Sequence, residues 1–316
     1  MLKVRETALL FLFATMLSAA VASDGKRWWS FVEFLASDQL EGRNTRSEGH
    51  RKAAEYVASQ FDRNGLRPAG ERGYIQPVKF RTMELDESQS SLSLIRDGKE
   101  LKLTLGEDAI IGTRVDPQPS VKAGLIFVGY GLRVPEIHYD DFAGLDTKGK
   151  IAVYMAGAPA GLSSALAAHY QTGGQRWEAL KSAGMIGAIA IANPKHMDIP
   201  VARMASNRSQ MAMELAKPGM SETDGEAITI AWNPAHANEL LARSGHAMEE
   251  LVDLAEAGKP LPHFLLPAAV DARTMIKRGA VESQNIVAIR EGSDPSLKNE
   301  YKRCQRISTT LGLARR

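Results

Sequence analysis

The chain is predicted to belong to the α/β class, on three observations. Short apolar runs next to glycine recur at Gly124–Gly131, Ile151–Met155 and Gly187–Ala192, in the pattern of buried strands. Segments with apolar residues at helical spacing lie between and around them, Trp177–Ala183 among them. Asp97-Gly98 stands between two short apolar runs, the strongest kind of short hairpin signal.

Taken in order, the chain opens with Lys3 and Arg5, a mostly apolar run from Ala8 to Ala20, and the small residues Ala20-Val21-Ala22. That is the layout of a cleavable signal peptide over residues 1–22, and the run is short for a bilayer span. An uncleaved membrane anchor is the alternative reading of the same pattern. Trp28, Phe31, Val32 and Leu35 share a helical face, and Asp38-Gln39-Leu40-Glu41-Gly42-Arg43 breaks that helix. A second helix is predicted over Ser47–Asn64, with Ala53, Ala54, Val57, Ala58 and Phe61 on one face and Gly65 at the C-cap position. Tyr74–Thr82 reads as a strand, and Leu92–Ile95 and Leu101–Leu105 flank the Asp97-Gly98 turn. Gly106–Gln118 reads as a connector. The segment carrying Met204, Met211, Met213 and Met220, with Pro218-Gly219, reads as a long surface loop. Asn238–Ala257 reads as one amphipathic helix ended by Gly258, and strands follow at Ala269–Ala272 and Val281–Ile289.

At 316 residues the chain holds about two domains on the length prior. A composition of 44% hydrophobic and 24% charged residues is that of an ordinary globular protein. The net charge of +2, with no basic patch interleaved with aromatics, excludes a nucleic-acid partner as a reading. The single cysteine, Cys304, supports neither a disulfide framework nor thiol chemistry.

Several stretches together resemble a known family. Leu35-Ala36-Ser37-Asp38-Gln39-Leu40-Glu41-Gly42-Arg43, Gly65-Leu66-Arg67-Pro68-Ala69-Gly70, and Ser283-Gln284-Asn285-Ile286-Val287 through Gly292-Ser293-Asp294-Pro295 to Glu300-Tyr301 are similar to segments of secreted two-zinc aminopeptidases. Between them, Gly129-Tyr130-Gly131, then Asp141-Phe142-Ala143-Gly144-Leu145-Asp146-Thr147-Lys148-Gly149-Lys150-Ile151-Ala152-Val153, then a helix and an apolar strand, resemble the protease-associated domain that many of these enzymes carry as an insertion. The resemblance implies an incomplete zinc-peptidase α/β domain, in residues 23–119 and 267–301, interrupted by a protease-associated β-rich α/β domain at 120–266.

In the family, the next strand ends in Ser-Ala-His-x-Asp-His-x-Gly, whose His and Asp hold metal. No such motif follows Tyr301 here. If the first two bases of the Lys302 codon are dropped, the fixed bases of the codons from Lys302 to Gly312 permit Ala-Leu-Ser-Ala-His-Ile-Asp-His-Leu-Gly. Residues 302–316 are therefore expected to be an out-of-frame tail, with a natural basic tail as the plainer alternative.

The family's chemistry uses two zinc ions to polarise the scissile carbonyl and activate water, with a carboxylate as general base. By resemblance those residues lie past Tyr301. No catalytic, cofactor-binding or metal residue is therefore assigned in this sequence, and zinc belongs to the intact family only. Asp38, Glu41 and Arg43 suit either catalysis or a helix-ending turn, and the turn is favoured. His138, Asp140 and Asp141 suit either a metal site or a solvated loop, and the loop is favoured. His169, His196, His236, His246 and His263 show no metal-ligand spacing, and Gly157–Gly161 lacks the Lys and Ser/Thr of a phosphate loop.

The expected function is that of an inactive front portion of a secreted or periplasmic zinc aminopeptidase, whose intact relatives act on peptides, with no membrane contact after signal cleavage. The alternative is a non-enzymatic peptide- or protein-binding module built on the inserted domain.

Overall fold

The computed structural model describes residues 25–292 together with 294 and 296. The expected signal peptide, the Tyr301 junction and the tail with Cys304 lie outside the described residues. The chain forms two units, one from Met1–Lys79 with Val281–Arg316 and one from Phe80–Ala280.

In the first unit, α1 (residues 25–35) leads through a 3-10 stretch, Asp38–Arg43, into α2 (Glu48–Arg63). Leu40 is buried in that turn, while Glu41, Gly42 and Arg43 take positive φ. The turn docks on α2 at Gly49, where an added Cβ would stand 1.8 Å from the Leu40 carbonyl oxygen, so only glycine fits. Ser47 caps α2 by accepting the His50 N–H at 3.1 Å. At the other end the Leu66 N–H donates to Phe61 O and the Gly65 N–H to Asp62 O, with Gly65 at φ 69°, a Schellman closure. Phe34 of α1 stacks on Tyr56 of α2 at 4.0 Å. A short strand, β1 (Arg67–Pro68), follows.

The chain then enters β2 (Ile75–Leu85) and the second unit. Its strands are β3 (Ser91–Arg96), β4 (Lys99–Leu103), β5 (Ala109–Ile111), β6 (Ser120–Val128), the small pair β7 (Arg133–Val134) and β8 (Tyr139–Asp140), and β9 (Ile151–Met155). Helices α3 (Ser164–Tyr170) and α4 (Gly173–Ser182) lead to β10 (Gly187–Ile191). Then come α5 (Val201–Ser206), β11 (Ala212–Leu215), β12 (Ile228–Trp232), α6 (Ala237–Leu241), α7 (Met248–Glu256), β13 (His263–Arg273) and β14 (Ile276–Ile286). The last strand, β15 (Ala288–Ile289), pairs antiparallel with β1 inside the first unit.

The fold is α/β, built on a mixed eight-stranded sheet in the order β4-β3-β13-β6-β9-β10-β12-β5. Strands β6, β9, β10 and β12 run parallel, and the strands flanking them on either side are antiparallel. A parallel sheet buries both faces, which is why these strands read as continuous apolar runs. On one face Trp177 and Leu180 of α4 pack on Ile126, Val128, Ala152 and Ala188. The larger cluster takes Phe127, Ile151, Val153, Ile189 and Ile230 with Leu240, Leu241, Leu251 and Val252 of α6 and α7. The Asp97-Gly98 hairpin forms as expected, with both residues at positive φ and Arg96 opposite Lys99.

Three local expectations are corrected. The connector 106–118 contains β5, an edge strand pairing Ile111 with Ile230. The methionine-rich loop contains α5 and β11, and β11 pairs with β2 through Ala212↔Met83. The single helix 238–257 is two helices, because Arg243 and Gly245 take positive φ between α6 and α7. The expected edge of the inserted domain at 266/267 falls within β13, where Pro267 has no N–H to give and a bulge separates Leu266 from Ala269. The hairpin β3–β4 also belongs to the same sheet, so the compact unit Phe80–Ala280 is wider than 120–266.

Limited proteolysis of the purified chain should therefore leave a resistant fragment close to Phe80–Ala280, read by intact mass. A fragment cut between the β3–β4 hairpin and Ser120 would contradict the shared sheet.

Candidate functional site

The polar groups of the second unit cluster at strand ends. After β6, Gly129 and Gly131 turn the chain sharply, at φ 59° and 64°. Asp141, only 2% exposed, sits under this turn. Its Oδ2 accepts the N–H groups of Tyr130 (3.1 Å) and Leu132 (2.9 Å), and its Oδ1 accepts the Tyr139 hydroxyl at 2.6 Å. His263 Nε2, at the start of β13, lies 3.1 Å from the same Oδ1. Burial pushes the Tyr139 phenol far up, and the Asp141 charge adds to it.

His138, Asp140 and Asp141 have different surroundings. His138 is exposed in a left-handed turn, and Asp140 pairs with Arg133 at 2.9 Å and accepts the Phe142 N–H. Asp141 is occupied by its donors. The three do not converge on one point, and Asp141 is a buried strut rather than part of a solvated loop. Asp38 and Glu41 are exposed in the turn before α2, as a helix-ending turn requires.

A second buried group stands before β12. Burial pushes the Glu226 carboxyl up to about 8, against a lowering hydrogen bond from Thr229. Near it the Arg176 guanidinium lies 4.4 Å over the Tyr154 ring and donates to Gln171 O.

The third cluster joins residues far apart in sequence. Asp108, His236 and Glu239 each bring one ligand atom within 4.8 Å of the others. Asp108 lies in the turn before β5, where its Oδ2 accepts the Thr104 N–H at 2.7 Å. His236 ends a 3-10 turn after β12, and Glu239 is in the first turn of α6. Asn233 locks the two segments together, its N–H donating to Asp108 O at 2.9 Å and its Nδ2 to Glu107 O at 2.8 Å. The Trp232 indole donates to His236 O at 3.1 Å. His236 Nδ1 stands 2.7 Å from Asp108 Oδ1 and 4.0 Å from Glu239 Oε1. One imidazole and two carboxylates form a donor set suited to a divalent cation. Sequence reading passed over this group. Its only local signal is His236-x-x-Glu239, spacing that shares one helical face. The remaining histidines stay apart from it, His196 pairing with Glu256 and His246 with Glu250.

No family model matches the chain, and no curated protein matches it. Among solved structures it is similar to two of BSAP, a zinc aminopeptidase from Bacillus subtilis, at 16% identity and a TM-score of 0.34 in both. The matches cover 84% and 85% of this chain and 47% and 48% of those chains, so the chain spans about half their length. Likeness at that level transfers no residue roles. No helix among the described residues is long and apolar enough to cross a membrane.

Two outcomes follow from the buried carboxylates. Asp141→Ala strips four donors of their acceptor and should lower unfolding free energy by about 3 kcal/mol, measured by urea denaturation. For Glu226, the unfolded chain releases the proton near 4.5 while the folded chain holds it to about 8. Stability from this group is therefore full below the lower value and lost as pH rises towards the upper one. Glu226→Gln should flatten that fall and raise the melting temperature near pH 8 by about 3 °C over the parent, read by thermal unfolding.

Proposed function

We propose that this chain is the front portion of a secreted zinc aminopeptidase, its peptidase domain interrupted by a protease-associated domain, and that it does not hydrolyse peptides as it stands. The observation that carries this reading is the ordered set of family-like segments up to Tyr301, followed by residues whose codons permit Ser-Ala-His-Ile-Asp-His-Leu-Gly one frame away. The α/β class is compatible with it. So is the layout in which one unit is made of two chain segments that flank the other. In the first unit the apolar strand residues Ile286–Ile289 and the α2 residues Val57, Ala58 and Phe61 are only half-buried, as surfaces awaiting further packing partners would be.

In this reading the paired zinc ligands belong to sequence encoded past Tyr301 in the other frame, and the substrates of the intact enzyme are peptides. Residues 1–22 direct export, placing the protein outside the cell or in the periplasm. The second reading, a non-enzymatic peptide- or protein-binding module, draws on the separate apolar core of the second unit.

The purified chain should show no chelator-sensitive turnover of an aminoacyl-nitroanilide. A gene with one base inserted, or two removed, after the Tyr301 codon should yield a zinc-dependent aminopeptidase. An early stop in the shifted frame, or activity of the present chain above a mock preparation, would overturn the proposal.

A further inference from the structure

We propose that Asp108, His236 and Glu239 bind one zinc-type divalent cation that clamps the edge strand β5 to the β12–α6 junction.

The argument rests on the His236 ring. Its Nδ1 is enclosed from solvent and makes no aligned hydrogen bond, although Asp108 Oδ1 is 2.7 Å away. The carboxylate therefore approaches off the axis on which an Nδ1 proton would point. With the ring proton on Nε2 instead, the Nδ1 lone pair would face two carboxylate oxygens with nothing between them. An enclosed polar atom whose charged neighbour stands off the hydrogen-bond axis is poorly satisfied, which is costly. A cation set between the imidazole and the two carboxylates removes the cost, and off-axis approach is what two ligands show when both aim at a third point.

The distances allow it. Ligands on one tetrahedral zinc with bonds near 2.0–2.1 Å stand about 3.3 Å apart. The 2.7 Å contact would open slightly and the 4.0 Å contact to Glu239 would close. Glu239 is free to do so, with its side chain 53% exposed. Asp108 is held by the Thr104 N–H on Oδ2, which leaves Oδ1 aimed at the imidazole. Nitrogen with oxygen donors favours zinc over magnesium or calcium, which prefer all-oxygen shells. Three protein ligands leave a fourth position for water on the solvent side. The strand that the ion would hold is the three-residue β5, paired to β12 alone at the end of the sheet.

The test is equilibrium dialysis of the untagged full chain against zinc chloride, followed by metal analysis, with magnesium chloride as a control. The expected result is saturable uptake of about one zinc per chain, no uptake of magnesium, and a melting temperature that rises with zinc. His236→Ala should abolish uptake, and Glu239→Ala should weaken it at least about tenfold. Cobalt substitution should give visible absorption bands in the parent and none in His236→Ala. No saturable uptake by the parent, or uptake unchanged in a His236→Ala chain with parent-like circular dichroism, would overturn the proposal. If His236→Ala does not fold, the exposed Glu239→Ala decides, and zinc affinity equal to the parent's would overturn it. None of these readouts depends on peptidase activity.

Discussion

Burial of the four parallel strands on both faces is the constraint from which the larger unit follows. Once β6, β9, β10 and β12 are covered by α4 on one side and by α6 and α7 on the other, no polar side chain can stand in mid-strand without a partner. Polar residues gather past the carboxyl ends of those strands, while the buried Glu226 stands before the amino end of β12. Asp141 and His263 gather past β6, Asn193 and His196 meet Glu256 past β10, and Asn233 and His236 meet Asp108 past β12. The parallel strands point the same way, so the three clusters lie along one edge of the sheet. That is the edge where open α/β sheets ordinarily keep their working residues.

The clusters differ in what they do with their charges. Asp141 spends every oxygen on donors from three chain segments and is a joint. Glu226 is buried with a hydrogen bond to Thr229 and keeps its proton instead. Among the described residues, Asp108, His236 and Glu239 are the group whose potential ligand atoms all lie within 4.8 Å of one another.

Features set by neighbouring residues were legible in the sequence. The Gly65 closure and the Asp97-Gly98 hairpin each depend on a few adjacent positions. The buried strands announced themselves because both faces are apolar. The misses have long-range causes. β5 is three residues long and is a strand only because β12 lies beside it. β11 exists through its pairing with β2, and neither Met211 nor Met213 marks it locally. The break between α6 and α7 at Arg243 and Gly245 interrupts a face that keeps its apolar pattern on both sides. Asp108 and His236 are neighbours in space but lie far apart along the chain, with β6, β9 and β10 between them in sequence, so no spacing rule joins them. Asp141 read as a loop residue because two of its four donors are backbone groups and a third, His263, lies far along the chain, which composition does not reveal.

The first unit's two-piece construction bears on how the chain is made. About two hundred residues separate its segments, and at 5–20 residues per second the ribosome takes roughly 10–40 s to cross them. Throughout that interval α1 and α2 exist without β15. The larger unit can fold in the meantime, and its folding brings Thr82 beside Gly279, whose added Cβ would stand 2.8 Å from the threonine hydroxyl. What had been a very long loop between the two halves is then shortened to the few residues on either side of that contact. Closing a short loop costs less chain entropy than closing a long one. The first unit's second segment then has a shorter loop to close when it is made.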